Sequence, residues 1–309
     1  MNPHKPRYRT TNWPEYNRSL QRRGNLTVWL SPEMPWLGGH TGANGRPPVY
    51  TDVAIQTVLT LKVLFKLALR QARGLVCSVL RLLGLNWPVP CFSTVSRRQA
   101  TLTVNIPVRR QAEPLHLLVD STGLKICGEG EWKVKKHGTE YRRSWRKVHL
   151  AIDAATLDVR AVEMTDHRQG DAAQAEELLS QLGPAEPLAS VSGDGAYDTR
   201  GFYRAVRSRG AEVIVSPRRN GKPWQDRTDF AQARNATLAA ARHLGWRLWK
   251  KWSGYHRRSL VETTMGRLKL LGERLAARQP ERQVAEVPVR CAILNTFNRL
   301  GMPVTVTHA

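Results

Sequence analysis

The chain has 309 residues and a formal net charge of +23, from 48 Lys and Arg residues against 25 Asp and Glu residues. Hydrophobic residues make up 41% of it, which is typical of a globular protein and not of a disordered one. The positive charge indicates a polyanionic partner such as DNA, RNA or a membrane surface. The four cysteines are widely spaced, which argues against a disulfide framework or a zinc cluster. We expect neither a membrane span nor a secretory signal, and therefore a cytoplasmic protein.

The first fifty residues are rich in Pro, Gly, Arg and Trp, and no helix or strand period persists in them. We interpret residues 1–50 as a basic N-terminal arm with short helical pieces. A disordered tail is the alternative that the sequence leaves open.

A helical region follows. Thr51 and Asp52 are good N-cap residues, and the run Val53–Arg70 contains neither Gly nor Pro, which predicts one long helix. A second apolar run begins after Gly74 and stops at Gly84, which is suited to end a helix.

A short third helix is predicted in the run TVSRRQATL, with Ser93 or Thr94 as its N-cap. It carries Arg97 and Arg98 near its N-terminal end. Three helices of which the last is short and bears arginines indicate a helix-turn-helix-like DNA-binding domain over residues 51–110. An ordinary helical bundle is the open alternative.

From Leu115 onward the pattern is mixed α/β. The predicted strands are Leu115–Asp120, the hairpin pair Trp145–Asp153 and Val159–Thr165, Leu188–Asp194, and the run AEVIVSP. Asp171 and Thr199 are expected to cap two helices between these strands, and a final long helix begins between Gly254 and Ser259 and continues toward Gln279. We therefore predict one α/β domain over residues 111–309, with a short insertion at about 218–253.

Two predicted strands stop on a carboxylate, Asp120 in LLVDST and Asp194 in SGDGAYD. Strands that end on Asp place carboxylates at one edge of a sheet, where active sites commonly form. The alternative is that each residue only caps the turn that follows its strand.

A third acid lies on the last predicted helix. Tyr255, Arg258, Glu262 and Lys269 are spaced so that they share one narrow helical stripe, while the apolar residues lie outside it. Arg258 and Lys269 are suited to contact phosphates, Tyr255 to donate its hydroxyl, and Glu262 to join the two aspartates.

Three close carboxylates cannot all ionise without a cation, so the cluster predicts Mg²⁺, or Mn²⁺ in its place, held through oxygen ligands. Two such ions about 3.5–4 Å apart can activate a water or a 3′-hydroxyl and stabilise the leaving oxygen of a phosphodiester. The sequence contains no P-loop that would indicate ATP-driven chemistry.

These residues resemble a known family. The Tyr-x2-Arg-x3-Glu-x6-Lys spacing is similar to the signature of bacterial insertion-sequence DDE transposases of the insertion-sequence-4 and insertion-sequence-5 superfamily. The segments GYHRRSLVETTMGRLK, GDGAYDTRGFY, WRKVHLAID, CFSTVSRR and ILNTFNRLGMP resemble the insertion-sequence-5 group in particular. The resemblance extends over about residues 49–303.

The resemblance implies an RNase H-like catalytic core behind a helical DNA-binding region. Asp120, Asp194 and Glu262 would match the catalytic, metal-binding triad of the family. Tyr255, Arg258 and Lys269 would match its companions, which handle the terminal phosphates and the transposon end. The insertion at 218–253 is shorter than the β-rich one of some relatives, so a hairpin-stabilising role for it is not implied.

The sequence therefore predicts a transposase that binds terminal inverted repeats, pairs two ends as a homodimer, and cleaves and joins double-stranded DNA with Mg²⁺. Two alternatives stay open. One is an RNase H-like structure-selective nuclease that cuts without joining, and the other is a non-catalytic DNA-binding regulator derived from a transposase.

Other residues compete for these roles. We interpret Asp153 as a hairpin-turn residue, Asp171 as a helix N-cap and Asp198 as structural. The basic run Lys133–Lys147 is expected to contact the DNA backbone. Three tryptophans of the insertion, Trp246, Trp249 and Trp252, are open to two interpretations. They either stack on a displaced base or pack in the core.

Overall fold

The computed structural model describes residues 7–39, 49–126 and 145–308. Most of the basic run Lys133–Lys147 lies outside the described residues. The helices are α1 (Trp13–Arg23), α2 (Asp52–Leu64), α3 (Leu69–Leu82), α4 (Phe92–Arg98), α5 (Ala175–Ser180), α6 (Arg200–Arg207), α7 (Asp229–Leu244), α8 (Trp246–Trp252), α9 (Ser259–Leu271), α10 (Pro280–Gln283) and α11 (Glu286–Leu300). The strands are β1 (Arg7–Thr10), β2 (Leu115–Ile126), β3 (Trp145–Asp153), β4 (Val159–Asp166), β5 (Leu188–Gly193), β6 (Glu212–Val215), β7 (Arg274–Leu275) and β8 (Thr305–His308).

The central sheet is mixed, as the sequence predicts. Its strands lie in the order β4-β3-β2-β5-β6. The first three are antiparallel neighbours, and β5 and β6 run parallel to β2. The short strand β7 pairs with the last two residues of β2. A mixed sheet in this order fits the RNase H-like core that the resemblance implies.

Each face of the sheet is covered by a separate apolar core. On one face, Leu117 and Val119 of β2 pack with α5 and α6. On the other face, Leu118 and Leu124 of the same strand pack with Val261 of α9 and with α11. Because side chains alternate along a strand, Asp120 shares the face of Leu118 and therefore lies on the side covered by α9.

The first predicted helix, Val53–Arg70, is divided between the two helices α2 and α3. Thr51 is its N-cap as expected, since its side chain accepts a hydrogen bond from the amide of Ala54 at 3.1 Å. However, α2 ends at Leu64, and Lys66 adopts a positive φ of 52°. The prediction of one helix to Arg70 was wrong because this turn lets the chain double back and pack Leu67 against the helical core.

The third helix is capped differently from the prediction. α4 begins after Cys91, whose backbone is extended, so Ser93 and Thr94 lie inside the first turn and neither is the N-cap. Their hydroxyl oxygens lie 2.9 and 3.2 Å from the Cys91 sulfur. The helix exists where the sequence places it, but its start is set by Cys91.

The helical region and the C-terminal helix share a core. Residues of α2 and α3 pack with Trp29 and Trp36 of the N-terminal segment, and Val289 and Ile293 of α11 belong to the same cluster. Strand β1 pairs antiparallel with β8, which joins the two ends of the described chain. None of the described helices is both long and apolar enough to cross a membrane.

Candidate active site

Asp120 and Asp194 come together because their strands are parallel neighbours. The β2–β5 pairing ends with Leu118 and Ser192, two residues before Asp120 and Asp194, and the charge of Asp194 acts on the Asp120 carboxyl group. Adjacent strands lie about 4.8 Å apart, so the two carboxylates are close. The amide of Ser121 donates to Asp120 at 2.8 Å, which fixes the orientation of that carboxylate.

Asp194 is the N-cap of a 3-10 turn, Gly195–Tyr197. Its side chain accepts a hydrogen bond from the amide of Ala196 at 2.8 Å. Gly193, just before it, lies under the ring of Tyr197, and a Cβ added there would be 2.8 Å from that ring. Glycine is therefore needed for the chain to turn at the end of β5 and present Asp194.

Glu262 reaches the same place from α9. The helix packs on the sheet through Val261, Met265 and Leu268, which leaves Glu262 facing away from the core with a side chain that is 55% exposed. A 3-10 turn, Tyr255–Arg258, leads into this helix. The predicted helix therefore begins within the expected interval, but it ends at Leu271, well before Gln279.

Arg258 links two of the acids. Its Nη1 lies 3.4 Å from Oδ2 of Asp120, and its Nη2 lies 2.8 Å from Oε1 of Glu262. The guanidinium and the Asp120 carboxylate are both mostly buried, with 23% and 18% of their side chains exposed. A positive charge therefore lies between two of the three acids that the sequence singles out.

The electrostatics of Asp120 reflect this crowding. Burial raises the pKa of its carboxyl group, and the negative charges of Asp194 and Glu262 raise it further. The Ser121 amide and the Arg258 guanidinium act in the opposite direction. A carboxylate whose ionised form is disfavoured in this way is stabilised by any additional cation that binds beside it.

The three acids fit a divalent cation in the chemistry of their donors, because hard cations such as Mg²⁺ prefer carboxylate oxygens. In the arrangement observed, no three His, Cys, Asp or Glu side chains of the described residues are close enough to hold one metal ion together. Instead, Arg258 bridges Asp120 and Glu262. The guanidinium therefore occupies carboxylate oxygens that a divalent ion would also use.

Comparison with known protein families assigns the chain. Two family models, each described as a transposase DDE domain, match residues 111–296 and residues 21–129. The first match alone covers more than half of the sequence and contains all three acids of the site. The chain belongs to the DDE transposase family.

Membership establishes what kind of enzyme this is. A DDE transposase cleaves and transposes DNA, so DNA is the polyanionic partner that the net charge indicates. The family generally uses divalent metal ions, in accord with the carboxylate donors of the site. The mixed sheet of the transposase fits the catalytic core of this family.

The four residues that were predicted to share one helical stripe lie in two parts of the transposase: Tyr255, Arg258 and Glu262 are near the acids, and Lys269 is farther along α9. Tyr255 lies beside Arg258, with its ring centroid 5.9 Å from the guanidinium carbon, and its ring packs on Trp249. Burial raises the pKa of the Tyr255 hydroxyl, so the group remains a hydrogen-bond donor at neutral pH. Lys269 is seven residues beyond Glu262 and lines a cavity beside α2.

The two arginines predicted to contact DNA on α4 differ in their surroundings. The Arg98 guanidinium forms an ion pair with Asp52 and donates to the carbonyl of Tyr50 at 3.0 Å. It thereby holds α4 against the start of α2. Arg97 is exposed and makes no such contact within the described residues. Of the two, Arg97 is the side chain that the structure leaves accessible to a DNA backbone.

The competing aspartates take structural positions. Asp153 is a hairpin-turn residue as predicted, because its carboxylate accepts from the amides of Ala155 and Thr156. Asp198 is structural as predicted, since it is buried and paired with Arg234 at 3.0 Å. The N-cap prediction for Asp171 was wrong.

Asp171 opens a 3-10 turn whose N-cap is Gly170. Its carboxylate lies 2.7 Å from the Lys147 ammonium, so it forms an ion pair with the neighbouring strand β3 and does not cap a helix start. The backbone of Gly170 is extended, and no side chain caps this turn.

The tryptophans of the insertion separate into two groups. Trp249 is 2% exposed and packs between Trp246 and Tyr255, so it is a core residue that supports the site. Trp252 is 70% exposed and Trp246 is 40% exposed. Of Trp246, Trp249 and Trp252, only the two exposed rings present aromatic surface that a DNA base can reach. The insertion itself consists of α7 and α8.

Sequence reasoning missed a buried polar cluster on the other face of the sheet. His149 of β3 is fully buried, with its Nε2 2.8 Å from the hydroxyl of Thr165 and its Nδ1 3.6 Å from the carboxylate of Asp171. Tyr197 is also buried, and the negative charges of Asp171, Asp120 and Asp194 add to burial in raising its pKa. The alternation of β3 was the available signal, because it places His149 on the same face as the buried Ala151.

Proposed function

We propose that this transposase binds the terminal inverted repeats of an insertion sequence, pairs two ends as a homodimer, and cleaves and joins DNA with Mg²⁺. Its motifs support an assignment to the insertion-sequence-5 group. The observation that supports the proposal is that Asp120 and Asp194 lie on, and directly after, adjacent parallel strands, with Glu262 linked to Asp120 through Arg258. Carboxylates from three separate elements converge at one edge of the sheet, as phosphoryl transfer on DNA requires.

In this proposal, Asp120, Asp194 and Glu262 hold the divalent ions. Bound metal would activate the attacking water or 3′-hydroxyl and stabilise the leaving oxygen of the phosphodiester. Arg258, once it releases a carboxylate, is within reach of a phosphate beside the acids, and its planar guanidinium suits phosphate geometry. Tyr255 lies beside it as a neutral hydroxyl donor that orients the strand, and Lys269 neutralises a phosphate farther along α9.

A strand-transfer assay tests the proposal. The substrate is DNA that carries the ends flanking the gene. The proteins are the wild type, Glu262→Gln and the control Glu281→Gln, which replaces an exposed glutamate outside the three acids. We expect the wild type and the control to join ends into new DNA in Mg²⁺, and Glu262→Gln to bind the ends without joining them. Metal-dependent joining by Glu262→Gln would refute the role of this residue.

The same assay separates the alternatives. Nicking without joining by the wild type would favour the structure-selective nuclease. Tight binding of the ends with no chemistry in Mg²⁺ or Mn²⁺ would favour a DNA-binding regulator. The presence of all three acids supports the transposase over the regulator.

A further inference from the structure

A groove lies between the helical region and the segment that follows α9. Two adjoining cavities of about 530 and 490 Å³ form it. They share Lys62, Leu67, Ala276 and Glu286, so they are continuous. One wall comes from the C-terminal end of α2 and the turn after it, and the opposite wall comes from the end of α9 and the chain up to α11.

The groove is strongly basic. Besides Arg290, its cationic side chains are Lys62, Lys66, Lys269, Arg274, Arg278 and Arg282. One acid of its lining, Glu286, is buried and already neutralised, because it accepts from the amides of Ala276 and Ala277 and pairs with Arg290. Glu273 is the remaining acid among the lining residues. The exposed wall therefore carries a large excess of positive charge.

These cations are not balanced within the protein. Among the described residues, no ion pair includes Lys62, Lys66, Lys269, Arg274, Arg278 or Arg282, which are all the basic lining residues of the groove except Arg290. Elsewhere the protein pairs its arginines, as in the Arg207–Asp229 contact at 2.7 Å. Concentrated charge without an internal counter-charge is the footprint of a polyanion site.

The groove and one of the three acids share a helix, α9. Lys269 is on the same helix as Glu262, seven residues later, which is about 10.5 Å along the axis. That distance is about three base steps of a DNA strand at about 3.4 Å per step. At the other end, Arg282 donates to the hydroxyl of Ser96 on α4 at 2.9 Å, next to the exposed Arg97. The groove therefore connects the acids with the helix that we predict to recognise DNA.

We propose that this groove holds the sugar-phosphate backbone of duplex DNA on its path from the acids to the helical region. Lys62 and Lys66 on one wall and Lys269 and Arg278 on the other contact successive phosphates. These contacts carry no sequence information, so they set the position and register of the DNA on the transposase. The inference deepens the proposed function and rests on it for the direction in which the DNA leaves the acids.

The test is binding of a random-sequence duplex of about 30 base pairs, without metal, measured by fluorescence anisotropy between about 50 and 200 mM salt. The variant Lys62→Gln/Lys66→Gln removes two groove charges that are four residues apart. The control Arg18→Gln/Arg22→Gln removes two charges with the same spacing on the exposed side of α1. Circular dichroism and thermal unfolding verify that both variants are folded.

We expect the groove variant to bind about tenfold more weakly at about 0.1 M salt and its log–log salt slope to fall in magnitude by about 1.8, or about 0.9 for each phosphate that the variant no longer neutralises. Arg278→Gln, at the far cavity, should lower the slope by about 0.9 on its own. The α1 control should match the wild type. An unchanged slope in both groove variants, or an equal loss in the control, would overturn the inference.

The outcome is separable from that of the strand-transfer assay. A wild type that joins DNA while the groove variants bind duplex normally would refute the groove and leave the proposed function intact. A wild type that binds through the groove but joins no ends would refute the function and leave the groove intact.

Discussion

The guanidinium of Arg258 lies 3.4 Å from the carboxylate of Asp120, a residue 138 positions earlier in the chain. Through this contact and its bond to Glu262, Arg258 serves as an internal counter-cation for acids that are expected to bind metal. A divalent ion and the guanidinium compete for the same oxygens. Metal binding and the release of Arg258 toward phosphate are therefore coupled in the proposed function.

This competition predicts the effect of Arg258 on metal affinity. Arg258→Gln should bind Mn²⁺ about tenfold more tightly than the wild type in the absence of DNA, because a positive charge has been removed from beside the carboxylates. Arg258→Lys keeps the charge and should stay close to the wild type. Calorimetric titration with Mn²⁺ measures both variants. Equal or weaker binding by Arg258→Gln would show that the arginine assembles the acids instead of competing with the metal.

The raised pKa of Asp120 predicts that this site residue lowers the stability of the folded protein. Because burial and the neighbouring acids raise the pKa of Asp120 in the folded state, the folded protein binds more protons than the unfolded chain around that pKa. The unfolding free energy therefore falls as the pH rises from the ordinary carboxyl range through the raised pKa, and this cost persists at neutral pH. The unfolding free energy of Asp120→Asn should be about 1 kcal/mol higher than that of the wild type at neutral pH, because substitutions at functional sites commonly stabilise a protein.

Thermal unfolding of the Asp120→Asn variant at several pH values checks this expectation. The gain should shrink as the pH falls through the raised pKa toward the ordinary carboxyl range, below which the wild-type residue is protonated in both states. Asp153→Asn is the matched control on the same sheet. Its carboxylate accepts from two turn amides, so this substitution should destabilise the protein at neutral pH. A destabilised Asp120→Asn would contradict the analysis.

Local rules were sufficient to predict much of the fold. The strands that lead into Asp120 and Asp194, the hairpin, and the side-chain caps at Thr51 and Thr199 all depend on residues within a few positions of each other. The prediction that the first strand stops at Asp120 was wrong, because β2 continues to Ile126 through its pairing with β3 and β7. The break after α2 could not be predicted in the same way. No Gly or Pro marks Lys66, and the turn there is favoured by the packing of the leucine that follows it against distant parts of the chain.

The site was partly predictable for the same reason. Helical spacing placed Arg258 and Glu262 on one face, and the structure confirms that they touch. The pairing of Asp120 with Asp194 depends on the β2–β5 register, which no local pattern specifies. The basic groove was missed because Lys62 and Lys269 are more than two hundred residues apart, and only the packing of the helical region on the core brings them together.

A buried ion pair supports the segment after Asp194. Asp198 and Arg234 are almost fully buried, at 3.0 Å, and Arg234 also donates to the carbonyl of Lys222. Arg234→Ala would leave the Asp198 charge buried and unpaired, so we expect the unfolding free energy to fall by about 3–5 kcal/mol in urea titrations. The exposed pair of Arg207 with Asp229 is the control, and Arg207→Ala should cost less than about 1 kcal/mol. Equal losses in the two variants would contradict a special role for the buried pair.

His149 predicts a loss of stability in mild acid. Burial lowers its pKa to about 4, an effect to which the charge of Lys147 adds and which the charge of Asp171 opposes. The folded state therefore binds fewer protons than the unfolded chain between about pH 6.5 and pH 4, and the unfolding free energy falls as the pH decreases through that window. At about 1.4 kcal/mol per pKa unit, the loss attributable to this residue is about 3 kcal/mol.

Chemical unfolding at a series of pH values between about 7 and 4 measures this contribution. His149→Gln removes the titrating group, so its stability should decline by about 3 kcal/mol less than that of the wild type over the window. His167→Gln is the matched control, because that imidazole is 32% exposed and lies at the end of the neighbouring strand. The control should decline with the wild type. Parallel pH profiles for the wild type and His149→Gln would mean that His149 is hydrated or charged in the folded protein, in conflict with its complete burial on β3.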